Sequence, residues 1–420
     1  MDEEQAQKIR TKYTLMGFFI GILFTLALCV AGVLMRDMIQ NKKLENAQLA
    51  ARDTEVKKDE KEEPVAGKET REKMRTMQDI IDNYYYLHDV TTEELEDGMY
   101  HGMIEALGDD YATYLSVEER EEFSSQNEGT YYGIGCYIGI NEETKYPIIS
   151  GVMEGSPAEE ADLHVNDTIV KVEDTVTYDM ALEDVVAMVR GEEDTVVNLT
   201  VDRDGESLVI PVTRRKVNRP TVSSKMLEDG IGYIAISEFD MVTIDQFTEE
   251  YAEIKAENPK GLILDLRGNP GGLVEAVVKI GNQILPKGRI FYTEDKQGNV
   301  EEYTSDGEHE IQIPLVVLVN GGSASASKIL TGAVKDYGIG TSVGTKTFGK
   351  GIVQKLFELS DGSAIKMTVS AYYTPNGHNI HGTGIEPDVE IEFDSDRYYE
   401  SDKTEDNQLE KAIEILKEKM

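Results

Sequence analysis

Three serines alternate with alanines at Ser323, Ser325 and Ser327, and Lys328 follows directly. Such a run suits nucleophilic chemistry, but a serine hydroxyl is a weak nucleophile and needs a base beside it. No Asp–His pair stands out to supply that base. A lysine can serve where burial disfavours its ammonium form. Two lysines qualify. Lys328 lies three residues after Ser325. Lys350 lies in Thr347-Phe348-Gly349-Lys350-Gly351-Ile352-Val353-Gln354. Four residues separate Lys350 from Gln354, so the two share a face on a strand or a helix, and Gln354 can hold the amine in line.

These residues need a rigid frame. Residues 314–319 read as a buried strand, followed by the turn Asn320-Gly321-Gly322 and a helix whose apolar face is Ile329, Leu330 and Val334. A strand, a sharp turn and a helix N-terminus can present a nucleophile, and the helix end offers N–H groups to a developing oxyanion. Upstream, the continuous apolar run 261–266 predicts a strand buried on both faces. It ends in the turn Arg267-Gly268-Asn269-Pro270-Gly271-Gly272, and a helix over 274–285 follows. With a strand at 232–236 and a helix at 245–255, the second half alternates strand and helix and predicts an α/β core.

From residue 129 the pattern is one of short strands and turns. GSPAEEADLHVNDTIVKVED (155–174) and the Gly133-Ile134-Gly135 segment resemble a PDZ domain. The first stretch departs from the family pattern at Asp162, Asn166 and Asp174, where glycine is usual; Asp and Asn tolerate such turn positions. The resemblance implies that Gly133, Ile134 and Gly135 offer backbone N–H groups to a peptide carboxylate, and that the peptide adds as a strand at the domain edge.

VNGGSASASKILTGAVKDYG (319–338), VGTKTFGKGIVQ (343–354) and LDLRGNPGG (264–272) resemble the C-terminal processing peptidases, also called tail-specific proteases. The likeness runs from about residue 75 to the end and includes GHNIHGTGIEPDV (377–389). It implies a crotonase-like α/β peptidase core with Ser325 as nucleophile, Lys350 as base and Gln354 as orienting partner. Its oxyanion donors fall on the N–H groups of Ala326 and of Gly271 or Gly272. The family usually carries Glu where this chain has Lys328. The expectation is that Lys328 points to solvent and that Lys328→Ala spares cleavage. A penicillin-binding reading of Ser325-x-x-Lys328 fails on order, since Lys346-Thr347-Phe348 is not Lys-Thr-Gly and Ser125-Gln126-Asn127 precedes the serine. Arg190 falls where relatives carry an arginine that reports peptide binding to the core. The other reading of the chain is a catalytically inactive, membrane-tethered PDZ protein.

The rest of the 420 residues sets bounds. Residues 13–35 carry no charge between Lys12 and Arg36, and a helix of that length reaches about 34 Å, enough to cross a ~30 Å hydrocarbon core. The expected organisation is a cytoplasmic stretch (1–12), a transmembrane anchor (13–35), a charged linker (36–70) and a helical region (71–125). A PDZ domain (126–214), a serine peptidase core (215–394) and a C-terminal helix (395–420) complete it. The apolar stripes Met74, Met77, Ile80, Ile81, Tyr84 and Leu95, Met99, Met103, Ile104, Leu107 predict the core-facing sides of two packed helices. Lysines and arginines on the two sides of the anchor balance, so orientation follows only from the family, which implies a peptidase outside the cytoplasm. The family also implies a homodimer and substrates with accessible C-terminal tails; a regulatory partner is not identified. The net charge of −38, nearly all of it beyond residue 72, repels phosphate backbones and argues against nucleic acid. Cys29 and Cys136 lie on opposite sides of the expected membrane boundary and no Cys/His cluster has zinc spacing, so neither disulfide, metal nor cofactor is expected.

Overall fold

In the structure, a computed structural model, residues 65–349, 351–380 and 382–420 are described. The expected anchor at 13–35, the stretch before it, most of the linker and Lys350 lie outside the described residues. No described helix is long and apolar enough to cross a membrane. The chain divides into two compact units, residues 1–91 and 92–420. The described part of the first holds α1 (Lys68–Tyr84).

The second unit opens with α2 (Thr92–Glu105), β1 (Thr113–Leu115) and α3 (Val117–Glu128). The two apolar stripes are not core faces. No residue of α1 is buried, and α2 buries only Ile104. The start of α3 is fixed locally, because Ser116 and Glu119 cap each other's backbone in a capping box.

The β-rich part follows. It comprises β2 (Thr130–Gly133), β3 (Cys136–Ile140), β4 (Pro147–Val152), α4 (Pro157–Glu160), β5 (Thr168–Val172), β6 (Thr175–Val176), α5 (Leu182–Val189), β7 (Val196–Arg203) and β8 (Glu206–Thr213). Its sheet runs β3-β4-β5-β7-β8, with β6 beside β5, so β3 is an edge strand. Alternate residues of β7 (Val197, Leu199 and Val201) turn inward onto Ile149, Ile169 and Val185. Asp162 and Asn166 sit at φ 63° and 75°, as turn positions without glycine demand, whereas at the third departure Glu173, not Asp174, takes the positive φ (50°).

The α/β part comprises β9 (Arg215–Asn218), β10 (Val222–Leu227), β11 (Ile231–Ile236), α6 (Met241–Ala256), β12 (Gly261–Asp265), α7 (Val274–Gly281), β13 (Gly288–Asp295), β14 (Val300–Ser305), β15 (Leu315–Val319), α8 (Ala326–Tyr337), β16 (Gly340–Gly344), β17 (Ile352–Glu358), β18 (Ala364–Tyr373), β19 (Val389–Glu390), α9 (Ser395–Glu400) and α10 (Asn407–Lys419). One sheet has the order β10-β11-β12-β15-β16-β19 and is parallel from β11 onward. Helices α6, α7 and α8 bury Phe247, Ile280 and Leu330 against one face of it, and α10 buries Ala412 and Leu416 against the other. With both faces covered, every residue of β12 and β15 is buried, as the apolar runs require.

Strand pairing crosses the expected boundaries. β2 pairs with β9, and β1 of the helical region pairs with β18 of the second sheet. The C-terminal segment is two helices rather than one.

Candidate active site

The parallel strands β11, β12 and β15 end together, and the loops leaving β12 and β15 lock onto each other. Asn269, fully buried, joins them: its carbonyl accepts from the Ala324 N–H (2.9 Å) and the Ser327 hydroxyl (3.0 Å). Its side chain donates to the Ile236 carbonyl (2.8 Å) and accepts from the Gly271 N–H (2.8 Å). From the other loop, Asn320 accepts from the N–H groups of Gly268 (2.8 Å) and Gly322 (2.9 Å). Asn269 lies in the quoted LDLRGNPGG motif but was not singled out from sequence, because its role depends on a loop distant in the chain.

The three serines separate by environment. Ser323 and Ser327 are fully buried, and their hydroxyls donate to the Leu266 (2.7 Å) and Asn269 carbonyls. Ser325 alone is partly exposed, and among the described residues its hydroxyl bonds to no group. It is the residue before α8, with φ 47° and ψ −113°. A non-glycine residue at such angles is strained and persists only where its surroundings hold it. Here the Ser325 carbonyl accepts from the N–H groups of Lys328 (3.0 Å) and Ile329 (3.1 Å), and from the Tyr372 hydroxyl (3.2 Å). Tyr372 is buried on β18, and burial pushes its phenol far above the ordinary value, so the hydroxyl stays a donor. Nothing in the sequence around Tyr372 marks it.

Two backbone N–H groups here have no acceptor among the described residues, that of Ala326 next to Ser325 and that of Gly272, the residue after the Gly271 that packs on Ser325. The expected alternative, Gly271, already gives its N–H to Asn269. Gly271 is needed for close approach: a Cβ there would stand 2.5 Å from the Ser325 Cβ and 2.9 Å from the Ala326 nitrogen.

Lys328 does not point to solvent. It is completely buried, with its nitrogen 5.8 Å from the centre of the Tyr372 ring. The sequence expectation fails because the start of α8 is covered on all sides: every residue from Ala326 to Val334 is buried. Gln354, on β17, donates from Nε2 to the Tyr111 carbonyl (3.0 Å), which ties the strand to the segment before β1. Gly351, the residue after Lys350, accepts from the Tyr372 N–H (3.2 Å).

A second groove lies between edge strand β3 and helix α5. It encloses about 380 Å³ and is lined by Gly133, Ile134, Gly135, Ile138, Val186 and Arg190, among others. The N–H groups of Ile134 and Gly135 find no acceptor among the described residues, while the Ile134 carbonyl accepts from Ala158 (2.7 Å). Gly135 takes φ 77°, and a Cβ there would stand 2.4 Å from the Ser156 Cβ. Arg190, exposed at the end of α5, stacks over Tyr131 at 5.0 Å. Cys136 lines the same groove, and burial pushes its thiol up to about 12. A larger crevice of about 590 Å³ lies at the ends of β11 and β12, and the two share Tyr137 and Pro220 as walls.

Comparison with known proteins gives a consistent result. Residues 230–391 match peptidase family S41, residues 148–203 match the PDZ domain, and residues 26–119 match the N-terminal domain described as that of the activating protease CtpB. The chain is 37% identical over 320 residues to a carboxyl-terminal-processing protease of Synechocystis sp., covering 75% of each. It is 35% identical over 354 residues to the carboxy-terminal processing protease CtpA of Bacillus subtilis, covering 82% of this chain and 75% of that one. Among solved structures, a putative S41 protease from Bacteroides fragilis shares the fold at a TM-score of 0.50 and 17% identity, covering 76% of this chain and 90% of that one.

Proposed function

Because the chain belongs to peptidase family S41 and to its carboxyl-terminal processing proteases, and is therefore a serine-type peptidase, we propose that it cleaves proteins near their C-termini with a Ser325–Lys350 dyad. The observation that carries the reading is the environment of Ser325. It is the one partly exposed serine of the three, held at a strained helix start beside the open N–H groups of Ala326 and Gly272.

In this reading the neutral amine of Lys350 takes the Ser325 proton as the oxygen attacks the substrate carbonyl. The resulting oxyanion is held by the Ala326 and Gly272 N–H groups. Collapse breaks the C–N bond, and the Lys350 ammonium returns its proton to the leaving amine. A water molecule, deprotonated by the same lysine, then hydrolyses the acyl-enzyme and restores Ser325. Gln354 orients Lys350 through its Oε1 end, the end able to accept an amine hydrogen.

The tail enters at the PDZ groove. Its carboxylate meets the Ile134 and Gly135 N–H groups, and its backbone extends the sheet at β3. The shared walls Tyr137 and Pro220 support a path from this groove into the crevice at the strand ends. Arg190, at the groove rim, carries the state of the groove toward the core. Residues 13–35 anchor the protein as a single-pass membrane protein, with the peptidase outside the cytoplasm.

A substrate with an unstructured C-terminal tail tests the reading. Ser325→Ala and Lys350→Ala each abolish its cleavage, and amidation of the tail carboxylate raises KM in the wild type. Wild-type turnover by Lys350→Ala would remove the base assignment.

A further inference from the structure

The peptide unit between Ser325 and Ala326 has one end in the oxyanion site and the other in the core. Its N–H belongs to Ala326 and is open, while its C=O accepts from Tyr372. A peptide group is planar and trans, so fixing the direction of the carbonyl fixes the opposed N–H. Hydrogen bonds to a carbonyl also polarise the amide and strengthen the N–H as a donor. The N–H groups of Lys328 and Ile329 reach the same carbonyl from within α8. The Tyr372 hydroxyl is the donor that comes from outside the helix. It arrives on β18, the strand that also holds Gly351 through the Tyr372 N–H.

Lys328 completes the arrangement. Its side chain is fully buried, with the nitrogen 5.8 Å from the centre of the Tyr372 ring, within the range of a cation–π contact. We propose that Tyr372 and Lys328 are positioning residues of the oxyanion site: Tyr372 aims and polarises the Ala326 N–H through the Ser325 carbonyl, and Lys328 holds the Tyr372 ring for that task. The proposal rests on the reading of Ser325 as nucleophile. It replaces the expectation that Lys328 is irrelevant to turnover with a partial loss.

Tyr372→Phe removes one oxygen and keeps the ring. It is expected to lower kcat about tenfold with KM within twofold, because the hydroxyl acts on the transition state and not on the tail. Lys328→Met, which keeps the length of the side chain, lowers kcat in the same direction. The double variant loses little beyond Tyr372→Phe alone, since the two act through one bond. A peptide aldehyde, which binds serine peptidases as a tetrahedral oxyanion, loses affinity in parallel with kcat in all three. Merely loosened packing would not produce that correlation at constant KM. Wild-type kcat and aldehyde affinity in Tyr372→Phe overturn the proposal, as does full additivity of the two substitutions. Ser325→Ala run in the same assay separates the two levels. If it is inactive while Tyr372→Phe is unaffected, only this inference fails; if it keeps full activity, the peptidase reading of Ser325 itself fails.

Discussion

At Gly272 the backbone stands at φ 141°, and an added Cβ would lie 2.3 Å from the Phe239 carbonyl oxygen. No side chain fits there without moving the strand-end loop, and that loop carries one of the two open N–H groups. Gly272→Ala is therefore expected to lower kcat by at least about 100-fold, the usual effect of losing one oxyanion donor, with the circular dichroism spectrum unchanged. Steady-state cleavage of a tail peptide measures it. At this scale the sequence displayed the serine run and both lysines. Residue types could not separate Ser325 from Ser323 and Ser327, because burial and hydrogen bonding make the difference. A lysine on the first turn of a helix ordinarily reaches solvent, so the burial of Lys328 was hidden until the packing around α8 was known. Tyr372 had no signal, since its contact with Ser325 joins positions 47 residues apart.

The PDZ element depends on a polar clasp as well as on its apolar interior. Asp167, with its side chain only 1% exposed, accepts two bonds of 2.7 Å from Arg203 on β7 and another from the His164 N–H (2.9 Å). Burial pushes the Asp167 carboxyl up, but the Arg203 and His164 bonds outweigh it and hold it below the ordinary value. A carboxyl depressed by folding stabilises the fold above its unfolded value, near 4, and loses that contribution as the pH falls through the folded value. Asp167→Asn is expected to cost about 2–3 kcal/mol at pH 7, because it removes the buried carboxylate from Arg203 and leaves only the exposed Asp162 as its charged partner. The difference from wild type should shrink as the pH drops below about 4. Urea melts at pH 7 and pH 3 measure it, and an unchanged midpoint at pH 7 would refute it. The element was legible because its turns are local: Asp162 and Asn166 carry positive φ where the motif usually has glycine. The stripes of α1 and α2 misled because periodicity shows that a helix has an apolar side, not what covers it.

Across the whole molecule, the order of a helical region, a PDZ domain and an α/β peptidase could be read from three motif groups and the change of period between them. Less visible was how the parts interlock. β1 lends its edge to β18, β2 pairs with β9, and Gln354 reaches the Tyr111 carbonyl. These contacts join segments about 85 to 250 residues apart, and neither propensity nor local pattern encodes them. The Gln354 bond connects the region ahead of the PDZ domain to the strand that follows Lys350. The central claim is that Ser325 is the nucleophile of this assembly, and the most direct measurement is covalent labelling with a fluorophosphonate followed by peptide mass spectrometry. The label is expected on Ser325 alone, in step with loss of tail cleavage, and absent from Lys350→Ala. A label on Ser323 or Ser327, or full cleavage by protein labelled stoichiometrically at Ser325, would contradict the account.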